Sequence, residues 1–180
     1  LKSNQKRNVP TIALIAHMDT SPDVSGKNVK PQIHKNYDGK DIILSKDGSV
    51  VLGVDENPLL KEKVGKTIIT TDGTTLLGAD DKAGISEIMS ALEFLIQNQK
   101  FPRPNIRVVF NPDEEVGKGT EHITAEEIKA DFGYTVDGEK LGEIEDETFS
   151  ADSVEIKITG VNVHPGYAKN KLVNALKIGT

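Results

Sequence analysis

The sequence predicts an α/β domain with a mixed, largely parallel sheet, followed from about residue 151 by the first part of a second, α+β domain. Three observations carry this prediction. The short, continuously apolar run at 11–16 reads as a strand buried on both faces, 106–110 as a second buried strand and 132–136 as a third strand. A long amphipathic pattern lies between the first two, giving the alternation of strand and helix of a layered sheet. After Ser150 the pattern changes to an apolar–polar alternation at Val154, Ile156 and Ile158, as in a half-exposed antiparallel strand.

Taken in order, Thr11-Ile-Ala-Leu-Ile-Ala16 comes after Pro10 and is stopped by His17-Met-Asp19-Thr-Ser-Pro22. Residues 23–75 are rich in Gly, Pro, Asn and Lys and read as an insertion with long loops and a small sheet. Its β-like pieces are Ile42–Leu44, Val50–Val54 and Thr67–Thr70, with a short helix around Leu59 and Leu60. Asp81 to Gln97 forms the clearest helix. Ile85, Ile88, Met89, Leu92, Leu95 and Ile96 recur on one face, and Asp80 or Asp81 can cap its first turn. Pro102 and Pro104 keep the helical pattern from continuing into the strand Ile106–Phe110. Thr124-Ala-Glu-Glu127 matches a capping box opening a short helix. Phe132–Val136 is the third strand, and Asn170 to Lys177 reads as the start of a helix. The domains therefore span 1–150 and 151–180.

Composition narrows the chemistry. The 180 residues carry a formal charge of −6 and no large basic cluster, which argues against nucleic acid as a partner. There is no cysteine, so a metal site must use His, Asp and Glu. A cytoplasmic location suits that composition, and neither a signal-peptide pattern nor a membrane-length apolar run is present. The chain opens on Leu1 rather than Met and stops at Thr180 in mid-pattern, so it reads as a piece of a longer one.

Four polar clusters lie at element ends: His17/Asp19, Asp80/Asp81, Glu114/Glu115 and Asp137. The carboxyl ends of strands in open α/β sheets line the ligand crevice, so the four can converge. Each also has a plainer reading. His17 can be a satisfied histidine at the sheet rim, and Asp80-Asp81 an N-cap. Asp113-Glu114-Glu115 can be a solvated loop, and Asp137-Gly138 a turn. Together, one imidazole and several carboxylates suit one or two zinc-like ions, a shared carboxylate holding two ions about 3.5–4 Å apart.

The ordered set His17-Met-Asp19-Thr, Gly78-Ala-Asp80-Asp-Lys-Ala-Gly84, Pro112-Asp-Glu114-Glu115-Val-Gly117 and Thr135-Val-Asp137-Gly138 resembles the co-catalytic zinc exopeptidases, the family that includes carboxypeptidase G and aminoacylase. Asp19-Thr-Ser-Pro22, Ser25-Gly-Lys-Asn-Val29, Thr70-Thr-Asp-Gly73 and the long insertion favour its tripeptide-cleaving aminopeptidases. The resemblance runs from about Val9 onward. It implies a three-layer catalytic domain and the beginning of a lid or dimerisation domain, with Zn2+ as cofactor, two ions per complete site. It also implies short peptides as substrates and a homodimer through the lid.

By the same resemblance His17, Asp80 and Asp137 would bind the first ion, Asp80 would bridge, and Glu115 would bind the second. Glu114 would be the general base, taking the proton from the attacking water and passing it to the leaving amine. Asp19 would orient the His17 ring through its other nitrogen. Asp81 fits only as a capping neighbour. Gly160-Val-Asn-Val-His164-Pro-Gly resembles the start of the lid, where His164 would help hold substrate or the developing oxyanion; a surface-turn histidine is the alternative. His34 and His122 match no motif and read as surface histidines. A further histidine for the second ion is expected beyond Thr180, so the 180 residues alone should hold at most one zinc tightly and be inactive. The rival activities are dipeptidase or N-acyl amino acid deacylase within the family. A non-catalytic acidic cation-binding module is the rival from another class.

Overall fold

The computed structural model describes residues 1–138, 140–147, 150, 152 and 154–179. The chain divides into two compact units, Leu1–Glu143 and Ile144–Thr180.

The centre of the first unit is a three-stranded parallel sheet of β1 (Ile12–His17), β6 (Ile106–Asn111) and β7 (Phe132–Thr135), in the order β6-β1-β7. β1 is the middle strand because it is the one that can be covered everywhere. Ala13, Ala16 and His17 are buried, and neighbours run from Ile12↔Ile106 to His17↔Asn111 and from Ile12↔Phe132 to Ile15↔Thr135. Parallel pairing brings all three C-terminal ends to one edge of the sheet. The polar residues that stop each apolar run are thereby gathered at that edge.

Helix α1 (Ala79–Gln97) packs against β1. Its inward face carries Gly84 and Ile88, the latter only 2% exposed. Asp80 and Asp81 at its start depart from helical geometry, so the regular helix begins only after them, and the peptide between them is cis. Asp81 caps that regular helix: its Oδ1 accepts the Gly84 N–H at 3.1 Å. Helix α2 (Ala125–Ile128) shows the expected capping box, Thr124 and Glu127 each accepting the other's backbone N–H.

The insertion builds two antiparallel pairs, β2 (Gln32–His34) with β5 (Ile68–Thr70), and β3 (Ile42–Ile43) with β4 (Val51–Leu52). A short 3-10 helix, Pro58–Lys63, supplies Leu60 to its core. Tyr37, Ile42 and Leu60 are buried together, with Leu44, Leu52, Val54 and Ile68 packed around them. The strand Gln32–His34 is not visible as a periodicity, being three residues with one apolar side chain. Its partner Ile68–Thr70 makes it a strand. His34 therefore sits within a sheet, its Nε2 3.0 Å from the Thr70 hydroxyl, rather than loose on the surface.

In the second unit the Val161↔Val173 bridge, a 3-10 turn at Pro165–Tyr167 and helix α3 (Leu176–Gly179) are formed. The strand expected at Val154–Ile158 is not among the described elements. Val154 and Ile156 are 76% and 77% exposed there, and alternation makes a strand only where a neighbour pairs with it. The expected helix also starts later. Asn170 has φ +61°, which a right-handed helix cannot contain, and Asn174 Oδ1 accepts the Leu176 N–H at 3.0 Å. Among the described residues no helix is long and apolar enough to cross a membrane.

Candidate metal centre

His17 ends β1 with its ring 2% exposed and its Nε2 turned to the carboxyl edge of the sheet. That nitrogen lies 2.9 Å from Asp80 Oδ1, 3.7 Å from Asp137 Oδ2 and 3.8 Å from Glu114 Oε2. One donor atom each of His17, Asp80 and Asp137 falls within 4.8 Å of the others. Asp80 comes from the start of α1 and Asp137 from just past β7. Three separate chain segments thus meet at one point.

Electrostatics favour a cation there. Burial pushes the His17 ring toward its neutral form, but the hydrogen bond to Asp80 and the charges of Asp137, Asp80 and Asp19 outweigh it, so its pKa is raised. Asp137 is also pushed up, first by burial and then by the Asp81 and Asp80 charges, against the opposing pull of His17. More negative charge is gathered than one imidazole balances. One nitrogen and several carboxylate oxygens, with no sulfur, make a donor set that suits a zinc-like divalent ion. The residues present therefore fit such an ion.

The other ring nitrogen, His17 Nδ1, is buried with no hydrogen-bond partner among the described residues. Asp19 Oδ1 stands 3.3 Å away, within ion-pair range. The same carboxylate accepts the backbone N–H groups of Glu114 and Glu115, each at 3.2 Å. Although burial alone would raise the Asp19 pKa, these two donors, with the charge of His17, hold it below the usual range.

The loop beyond β6 is compact. Asp113 takes up φ +61° and leads into a 3-10 turn, Glu114–Val116, that presents Glu114 toward His17. Glu115 is half-buried in the same turn, and its carboxylate is outside the group of three converging ligand atoms. His164 belongs to the second unit, where its Nδ1 accepts the Gly166 N–H at 3.2 Å. His122 is exposed.

Two features are not apparent in the sequence. A cleft of about 520 Å³ beside the centre is lined by Asp80, Asp81, Gly84, Glu87 and Asp137. Glu87 lies about two helical turns past Asp80, and that spacing is the only hint of its place. Asp81 is 3% exposed, and its Oδ2 accepts the backbone N–H of His17 at 3.1 Å, a contact beyond its cap of α1.

Residues 70–178 match a family model described as Peptidase family M20/M25/M40. The chain is 54% identical over 179 residues to Peptidase T of Clostridium novyi and 57% identical over 176 residues to Peptidase T of Halothermothrix orenii. Against Peptidase T of Caldanaerobacter subterraneus subsp. tengcongensis the identity is 55% over 179 residues. These alignments cover 98–99% of the chain and 43–44% of the relatives, so the chain spans less than half the length of the curated relatives it matches. With that match over more than half its residues, the chain belongs to peptidase family M20/M25/M40.

Proposed function

We propose that the whole protein is a zinc-dependent aminopeptidase that releases the N-terminal residue of tripeptides. The observation that supports this most is the meeting of His17, Asp80 and Asp137, with Glu114 3.8 Å from the same imidazole nitrogen. His17, Asp80 and Asp137 would hold a first zinc, and Asp80 and Glu115 would contribute to a second. An ion bound there supplies a Lewis acid for the peptide carbonyl and lowers the pKa of water. Glu114, exposed and outside the ligand set, takes the proton from the attacking water and delivers it to the leaving amine. Asp19, 3.3 Å from His17 Nδ1, would accept a hydrogen bond from that nitrogen once the ion is bound and so keep Nε2 directed at the ion.

The tripeptide preference rests on the motif resemblance in 19–29 and 70–82. The lid begins near residue 151, and His164 on it assists the substrate or the developing oxyanion. A homodimer through that lid and a cytoplasmic location complete the proposal. The test is the full-length protein assayed on tripeptides, dipeptides and N-acyl amino acids, with zinc counted after dialysis against a weak chelator. Tripeptide cleavage with about two retained zinc ions supports the proposal. Preference for either other substrate class, or no retained metal, rejects it.

A further inference from the structure

In a parallel ladder the bonds between two strands are evenly spaced, alternating in direction along the chain. Between β1 and β7 the Val136 N–H donates to Ile15 O at 2.8 Å, so the next bond should run from the His17 N–H to Val136 O. It does not. The His17 N–H donates to Asp81 Oδ2 at 3.1 Å, and Val136 O faces α1 instead, where a Cβ on Gly84 would collide with it. The other oxygen of Asp81 holds the Gly84 N–H. The Asp81 carboxylate is thus inserted where the sheet would otherwise have zipped one step further.

We propose that Asp81 is a positioning residue for the metal centre. It stops the β1–β7 ladder one bond short and ties the strand end carrying His17 to the helical turn that comes after Asp80. This rests on the reading of His17, Asp80 and Asp137 as metal ligands. A cap alone needs only one acceptor, and a neutral Ser, Thr or Asn supplies it. A carboxylate that is 3% exposed is costly to bury, and here both its oxygens are met by backbone donors, one of them 64 residues away along the chain. The two-acceptor group serves both jobs at once. If the ladder closed, the Ile15↔Thr135 register would continue to pair His17 with Asp137, and the spacing of those two ligands would become that of paired strands. Gly84 belongs to the same device, because only a residue without Cβ lets α1 approach Val136 O and leaves Asp81 its place.

The test compares full-length parent with Asp81→Asn, which keeps the size but sets an NH2 group where one of the two backbone donors needs an acceptor. Zinc affinity is measured by chelator competition, and the visible spectrum of the cobalt-substituted protein reports the ligand geometry. Far-UV circular dichroism monitors the fold. The expected result is affinity lowered about 10–100-fold, as for other groups that orient ligands, with an altered cobalt spectrum and an unchanged fold. Parental affinity and spectrum in a folded Asp81→Asn overturn the proposal while leaving the metal centre intact. Should that variant not fold, Gly84→Ala puts the same question from the helix side, and a parental cobalt spectrum there overturns the proposal equally. A parent that binds neither metal removes the centre itself, and the proposal with it.

Discussion

Asp19 is the shared anchor of His17 and the glutamate turn: one carboxylate stands 3.3 Å from His17 Nδ1 and accepts two backbone N–H groups of the segment carrying Glu114. Orientation of the imidazole and placement of Glu114, the proposed base, are therefore set by one side chain. Asp19→Ala should weaken zinc binding in the full-length protein by about 10–100-fold. Because Glu114 loses its anchor too, kcat should fall even at saturating zinc. Metal titration followed by steady-state kinetics at saturation checks both; unchanged values would reduce Asp19 to a residue that ends the strand.

Glu114 is half-exposed and outside the converging ligand atoms, as its proposed role as a base and not a ligand requires. Glu114→Gln should lower turnover by about 10²–10⁴-fold, a usual general acid–base contribution. Zinc content, measured by atomic emission after gel filtration, should stay at the parental level. Joint loss of metal and activity would mean that Glu114 and Glu115 have exchanged roles.

Among the described residues Ile88 is the most completely buried large side chain, on the face of α1 that meets the sheet. Ile88→Ala should destabilise the protein by about 2–5 kcal/mol, the range for a large aliphatic truncated in a core. Urea denaturation followed by far-UV circular dichroism measures it. Met89, its neighbour, is 51% exposed, and Met89→Ala should cost much less.

Asp72 gives a pH-dependent stability of known sign. The Thr74 hydroxyl, Lys30 and the Thr74 backbone N–H hold its pKa at about 2 in the folded chain. A carboxylate with a lowered folded pKa favours the fold at pH values above its unfolded value of about 4. That contribution is lost as pH falls from about 4 toward 2. Asp72→Asn should be less stable than the parent at about pH 5, with the gap narrowing as the medium is acidified through that window. Denaturation series at several pH values, on metal-free protein, check the slope.

The parallel sheet and α1 were legible because their signals are local and long. Ile12–Ala16 and Ile106–Phe110 are uninterrupted or nearly uninterrupted apolar runs, and Ile85, Ile88, Leu92 and Leu95 repeat at helical spacing. Parallel pairing then dictates that the segments leaving the strands share an edge, so the proximity of His17, Asp80 and Asp137 was legible too. Gln32–His34 was not, since its strand character comes from Ile68–Thr70, far along the chain. The second unit differs from expectation for a related reason: among the described residues Val154–Ile158 alternates without a strand paired to it. The second contact of Asp81 depends on where β7 ends relative to β1, which no single segment encodes.

The insertion's cluster of Tyr37, Ile42 and Leu60 is made wholly from its own residues, while Ala13, Ala16, Ile88 and Ile106 are buried around the parallel sheet. Two separate cores in one unit need not open together. The insertion has short strands and few buried side chains, so its amides belong to the less protected end of the range. Native-state hydrogen exchange should show Tyr37 and Ile68 exchanging through a local opening, at lower free energy than Leu14 or Val109. Damage to that cluster would then leave the strand ends that carry His17 and Asp137 in place, and the insertion could vary in sequence and packing as a module of its own.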